Sequence, residues 1–168
     1  MGFFSKLFGR SNKAPAFDGN KIYAPLNGKA VPITEVPDPT FAEGLLGNGI
    51  AIIPADGKVY SPFDGTVGTM FDTGHACALT STTGVEILIH VGLETVGLNG
   101  EPFTIHVKDG DKVKKGQLLF EADLAAIQAA GLPIITPVLV CNVDDYSTIE
   151  TFVGQDVTND DVIISVAR

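Results

Sequence analysis

An all-β fold is what this sequence predicts: an antiparallel sandwich or barrel-like body with an internal duplication and one or two short helical turns. Three observations carry that expectation. Turn dipeptides recur at Asn27-Gly28, Asp56-Gly57, Asp64-Gly65, Thr83-Gly84, Asn99-Gly100 and Asp109-Gly110, and such residues supply the backbone conformations that tight turns require. Between them lie short runs of β-formers, at 49–54, 85–91 and 117–121, rather than long amphipathic periods. The third observation is a repeat. Ile22-Tyr23-Ala24-Pro25-Leu26-Asn27-Gly28-Lys29-Ala30 is matched 37 positions later by Val59-Tyr60-Ser61-Pro62-Phe63-Asp64-Gly65-Thr66-Val67. A strand–turn–strand unit written twice is too few for a solenoid and suits a pseudo-symmetric sandwich.

In chain order, residues 1–20 stand apart from 21–168. Phe3, Phe4, Leu7 and Phe8 recur at helical spacing, and Lys6, Arg10 and Lys13 are the segment's basic charges. Two readings are open: a short amphipathic segment lying on an anionic membrane surface, or a tail that docks nowhere. From 21 to 168 a single domain is expected. One helix is predicted over 124–130, with Asp123 as its cap and Gly131 as its stop. A helical turn is predicted near 41–46, kept short by Gly44 and Gly47.

Composition narrows the function classes. The chain has 168 residues, 45% hydrophobic and only 18% charged, enough for one proper core. A net charge of −9 argues against a nucleic-acid partner and leaves room for a basic protein partner. Cys77 and Cys141 form no metal or redox spacing, so a reduced, cytoplasmic chain is expected. No stretch is long and apolar enough to span a bilayer.

Of three histidines, two fall in facing runs. His75 lies in Thr73-Gly74-His75-Ala76-Cys77 and His90 in Ile87-Leu88-Ile89-His90-Val91-Gly92, with Ser81-Thr82-Thr83-Gly84 between the runs. A four-residue loop there would pair Thr80 with Val85, which sets His75 directly opposite His90 and Thr73 opposite Gly92. Cys77 would then share the face of His75, as a small hydrophobe. Two adjacent imidazoles suit three tasks: phosphoryl transfer, part of a metal site, or a plain cross-strand pair on a solvated face. His106 shows no partner in the sequence.

Several segments, in order, are similar to the glucose-type IIA family of the sugar phosphotransferase system. They are Ala24-Pro25-Leu26-Asn27-Gly28, Val36-Pro37-Asp38, Gly47-Asn48-Gly49-Ile50-Ala51-Ile52, Thr73-Gly74-His75-Ala76, Gly84 through Val96, Val107 through Gly116, and Thr136-Pro137-Val138. The resemblance covers residues 21–168. It implies a phosphocarrier in which His90 accepts phosphate, His75 stabilises it in transit, and Thr73 hydrogen-bonds into the pair. It implies a histidine phosphocarrier protein as donor and a cysteine of a sugar-permease IIB domain as acceptor. Phe41, Leu45, Leu46, Phe71 and Leu88 would form the docking surface, with Asp38, Glu94 and Asp144 as an acidic rim. The family commonly has Asp where this chain has Glu94.

By the same resemblance, the unphosphorylated form would bind permeases and glycerol kinase, and the phosphorylated form would act on adenylate cyclase. No cofactor is required. A regulatory zinc shared with a partner would use His75 and His90. A monomer, in the cytoplasm and with the tail touching the membrane, fits such a shuttle.

A binding module without phosphotransfer is the alternative reading. A zinc hydrolase on a similar scaffold would need a further carboxylate and a His-x-His pair, and Leu88 stands two before His90. A biotin or lipoyl carrier would need a turn lysine in a Met-Lys or Asp-Lys-Ala setting, which is missing.

Overall fold

The computed structural model describes residues 20–168, and the amphipathic pattern in residues 1–20 lies almost wholly outside them. Strands β1 (Lys21–Tyr23) and β2 (Gly28–Pro32) lead through a 3-10 turn at Ile33–Glu35 into α1 (Pro39–Ala42). Then come β3 (Asn48–Pro54), β4 (Lys58–Tyr60), β5 (Gly65–Met70), β6 (Ala76–Ser81) and β7 (Glu86–His90), with a 3-10 turn at Thr95–Leu98. Next are β8 (Phe103–Ile105), β9 (Lys112–Val113), β10 (Leu118–Ala122), α2 (Leu124–Ala129) and β11 (Thr136–Val140). A 3-10 turn at Val143–Asp145, β12 (Thr148–Thr151), β13 (Asp156–Val157) and β14 (Val162–Ala167) close the chain.

Every pairing is antiparallel. The large sheet runs β13-β2-β3-β11-β7-β6-β5-β9, and two smaller sheets run β1-β14-β12 and β4-β10-β8. This order is a palindrome: β7 mirrors β11, β6 mirrors β3, β5 mirrors β2 and β9 mirrors β13. The duplication seen in the sequence is therefore a pseudo-two-fold of the fold. Its two copies also clasp one another, since Tyr23 N–H donates to Pro62 O (3.0 Å) and Tyr60 N–H donates to Pro25 O (2.7 Å). Tyr60 and Pro62 stand 37 positions beyond Tyr23 and Pro25, the offset of the repeat.

Strand alternation divides the large sheet into two apolar faces. Ile50, Ile52, Cys77, Leu79, Ile87, Ile89, Val138 and Val140 point into the main core, together with Phe63 and Phe120. A smaller cluster of Val31, Val36, Phe41, Ala51, Leu93 and Leu139 lies on the other face. Full burial of a large apolar side chain contributes about 2–3 kcal/mol, so the main core carries the fold. Among the described residues no helix is long and apolar enough to cross a membrane.

Three local expectations meet the structure differently. Helix α2 forms as predicted, with Asp123 Oδ1 accepting from Ala126 N–H at 3.1 Å and Gly131 at φ +81°. The turn expected near 41–46 starts earlier, at Pro39, because Asp38 caps it and accepts from Thr40 N–H at 3.0 Å. The β6–β7 register is shifted by one from the expected pairing. Ser81 stays in β6, donating its N–H to Val85 O (2.9 Å) while its Oγ accepts from Val85 N–H (3.0 Å). The loop is thus Thr82-Thr83-Gly84, with Gly84 at φ +96° supplying the left-handed residue of a three-residue hairpin. His90 consequently faces Ala76, and His75 is not directly opposite it.

The pseudo-two-fold makes matching demands on its glycines. A Cβ on Gly28 would lie 2.2 Å from Ile53 O, and one on its repeat mate Gly65 would lie 2.2 Å from Thr80 O. Gly28→Ala and Gly65→Ala should each lower stability by about 2–3 kcal/mol. Urea denaturation would read this as a lower midpoint at unchanged slope.

Candidate functional site

His90 ends β7 on the face of the smaller cluster, where the ring of Phe41 lies 5.0 Å from it. The His75 ring lies 5.0 Å away on another side, edge-on at 82°. Strand parity alone would send His75 to the core with Cys77, yet it does not. His75 precedes the first residue of β6 and belongs to a turn in which Gly74 N–H donates to Phe71 O (2.8 Å). Gly74 holds φ +72°, and a Cβ there would sit 2.6 Å from Phe103 Cβ. This turn frees His75 from the alternation and lets its ring meet both His90 and Phe71, the latter at 5.4 Å. The two histidines are adjacent, by a route other than direct cross-strand opposition, and Cys77 does not share the face of His75.

Hydrogen bonds orient both rings. His90 Nδ1 lies 2.8 Å from Gly92 O. A carbonyl only accepts, so Nδ1 carries the proton and Nε2 of the neutral ring keeps its lone pair. His75 Nδ1 lies 2.7 Å from Thr73 Oγ1, a hydroxyl able to donate or accept. Thr73 therefore reaches the pair through His75 rather than from a strand position facing Gly92.

Both imidazoles are held neutral. Burial, then the neighbouring His90, lowers His75 from 6.5 to about 4. His90 is also lowered by burial; the carbonyls of Gly92 and His90, and the carboxylates of Asp38 and Glu94, partly oppose this. The cation is disfavoured on both rings, and the free electron pair on His90 Nε2 is preserved.

Phe41 and Phe71 are the apolar side chains in ring contact with the pair. Leu45 (70% exposed), Leu46 (43%) and Phe71 (39%) stand out to solvent, and Leu88 is half-buried. Phe41 is only 5% exposed, so it backs His90 more than it presents a surface. Val96, 50% exposed on the turn after Glu94, is an apolar residue that sequence reasoning missed. Asp38 and Glu94 lie close enough to influence His90. Asp144 sits in the turn after β11, where its neighbour Asn142 accepts from Glu86 N–H at 3.0 Å. That is the end of β7 remote from His90.

Gly92 and Thr95 were also missed. A Cβ on Gly92, at φ +75°, would lie 2.7 Å from Thr95 Cγ2 and 2.8 Å from Pro133 O. Its glycine was visible as part of His90-Val91-Gly92, but the role of its carbonyl was not. His106, without a partner in the sequence, pairs with Glu121 Oε2 at 2.7 Å across β8 and β10. Among the described residues no three His, Cys, Asp or Glu side chains are grouped to hold a metal. The Cys77 thiol is buried, and burial pushes it up to about 12.

Residues 20–146 match the family model described as phosphoenolpyruvate-dependent sugar phosphotransferase system, EIIA 1. A glucose-specific EIIA component of Halalkalibacterium halodurans is 46% identical over 151 residues, covering 88% of this chain and 87% of that protein. A glucose-specific EIICBA component of Staphylococcus saprophyticus is 48% identical over 145 residues, covering 86% of this chain but 21% of that longer protein. The solved glucose permease IIA of Mycoplasma capricolum superposes with a TM-score of 0.80 at 34% identity, covering 86% of this chain and 93% of that one.

The lowered histidines make folding depend on pH. Between the folded value of about 4 and the ordinary 6.5, the unfolded chain binds more protons at His75 than the native chain does. The stability this residue contributes is complete above pH 6.5 and is lost as pH falls through 4. NMR titration should place the His75 midpoint near 4 and that of His90 below 6.5. In His75→Gln, the decline in stability over that interval should be shallower.

Proposed function

The chain belongs to the EIIA 1 family of the phosphoenolpyruvate-dependent sugar phosphotransferase system, and from that membership we propose that His90 Nε2 carries the phosphoryl group. The family membership makes the protein a glucose-type phosphotransferase component. The observation that most supports the atomic assignment is the His90 Nδ1–Gly92 O hydrogen bond of 2.8 Å. It commits the proton to one nitrogen and leaves the other as nucleophile.

In the reading advanced here the donor is a phosphohistidine of the histidine phosphocarrier protein. Its phosphorus–nitrogen bond breaks, the donor nitrogen keeping the electron pair, as a bond forms from phosphorus to His90 Nε2. The proton stays on Nδ1, donated to Gly92 O, throughout. The Thr73 hydroxyl donates to His75 Nδ1, so that neutral His75 bears its proton on Nε2 and gives that N–H to a phosphoryl oxygen. Such aimed donors stabilise charge with little reorganisation at the moment of transfer. In the onward step the phosphorus–nitrogen bond breaks and a cysteine thiolate of a permease IIB domain takes the group. Neutral imidazoles suit this cycle, because a protonated His90 could not attack.

The exposure of Leu45, Leu46, Phe71 and Val96, with Phe71 against His75, supports protein docking, since exposed apolar surface beside a reactive group invites a partner. Asp38 and Glu94, the carboxylates that act on His90, would meet its basic residues and speed encounter, with Asp144 farther from the pair, at the other end of β7. Sugar-permease partners are supported by relatives named as EIICBA and EIIBCA components, of which this chain spans about a fifth. Regulatory binding to other permeases, glycerol kinase or adenylate cyclase would use the same face, in the cytoplasm. His75 and His90 supply two zinc ligands where three or four protein ligands are usual. A regulatory zinc would therefore need the partner to complete its set, and zinc should tighten binding to that partner but not bind tightly to the protein alone.

The test is intact mass after incubation with phosphoenolpyruvate, enzyme I and the histidine phosphocarrier protein. Wild type should gain one acid-labile phosphate and His90→Gln none. His75→Gln should still gain it but pass it on to a IIB domain more slowly, by about 10²-fold or more. A wild type that gains nothing from an active donor would leave a pure binding module as the better account.

A further inference from the structure

We propose that Thr95 is a positioning residue for phosphoryl transfer, holding the Gly92 carbonyl where it fixes the His90 ring; this rests on the function proposed above. Thr95 is fully buried, and it is polar. Its hydroxyl donates to Val91 O at 2.6 Å. Val91 is also tied to the other histidine, since its N–H donates to His75 O at 2.7 Å. A single peptide segment thus links the backbones of both imidazoles, and the Thr95 hydroxyl clamps its carbonyl end.

The methyl group of Thr95 acts on the next residue. It occupies the space beside Gly92, where a Cβ would come within 2.7 Å of it. On the far side Pro133 O would meet the same Cβ at 2.8 Å and accepts from Leu93 N–H at 3.2 Å. Gly92 is therefore wedged between Thr95 and the 131–135 segment, in a left-handed conformation at φ +75° that few other residues adopt. Glu94 follows, also left-handed at φ +62°. Two left-handed residues within three positions make an irregular turn whose shape no strand ladder enforces. Thr95 spans it from its far end back to Val91.

A buried hydroxyl that served stability alone could have bonded any nearby carbonyl. This one grips the residue between His90 and Gly92, the two residues joined by the catalytic hydrogen bond. Loosening the turn would let Gly92 O swing away, and His90 would then populate the tautomer with its proton on Nε2, which has no lone pair on that nitrogen to attack with. Substitution of residues that orient an active group in this indirect way commonly costs about 10- to 100-fold in activity.

The experiment compares wild type, Thr95→Val and Thr95→Ser. The His90 tautomer is read by ¹⁵N NMR of the unphosphorylated protein, and phosphoryl uptake is timed per folded molecule. Thr95→Val keeps the shape without the donor; it should show a mixed His90 tautomer and uptake slowed about 10-fold or more. Thr95→Ser should restore the single Nδ1–H tautomer and most of the rate. A Thr95→Val protein with the wild-type tautomer overturns the proposal, even if its thermal midpoint falls, because the residue would then be merely structural. A serine variant as impaired as the valine variant overturns the role of the hydroxyl. The tautomer measurement needs no phosphate donor, so it decides the matter even if wild type takes up no phosphate and the carrier reading fails.

Discussion

The 2.8 Å contact between His90 Nδ1 and the Gly92 carbonyl constrains the site around it, because a carbonyl oxygen has no proton to give. It fixes which ring nitrogen is free, and hence which face of the imidazole can react. It also demands an unusual backbone. For a carbonyl two residues along to bend back onto the histidine, the chain must leave β7 sharply, and Gly92 does so at φ +75°. The exposed Val96 and the acidic Glu94 are carried on the turn that follows, so both inherit their placement from the same bend.

The second histidine is placed by a comparable device. Gly74, left-handed and pressed against Phe103, turns His75 off the strand alternation and onto His90. The rest of the fold supports these two turns. The pseudo-two-fold passes between β7 and β11, so β7 lies at the centre of the eight-stranded sheet with partners on both sides. Central strands with fully buried neighbours open least readily, and a histidine at the end of one is held firmly. The mirror position on β11 is occupied by the buried Leu139 rather than a histidine, so duplication supplied the scaffold and only one half became the site.

Much of this was legible in the sequence, for identifiable reasons. The repeat is local and written in turn chemistry, so Asn27-Gly28 and Asp64-Gly65 announced the duplicated hairpins. Asp123 and Gly131 bounded α2 because capping is a short-range effect. The β6–β7 register was not legible, because it depended on whether Ser81 belonged to strand or loop. Its side chain settles that by accepting Val85 N–H. The parity argument for His75 and Cys77 failed for a related reason: strand alternation stops where a left-handed glycine begins. Partners separated in sequence, such as His106 and Glu121, or Gly92 and Pro133, left no local pattern to read. Glu94 is a further case. Its left-handed backbone, at φ +62°, suits Asp or Asn better than Glu, so the residue itself did not announce the turn.

The central claim is that a backbone carbonyl, by holding the proton on Nδ1, selects Nε2 of His90 as the phosphoryl acceptor. The most direct measurement is ¹⁵N and ³¹P NMR of the uniformly ¹⁵N-labelled, phosphorylated protein, in which the phosphorus couples to the ring nitrogen that bears it. The account predicts coupling to Nε2 of His90, with Nδ1 still protonated and bonded to the Gly92 carbonyl. Phosphorus on Nδ1, or on His75, would contradict it.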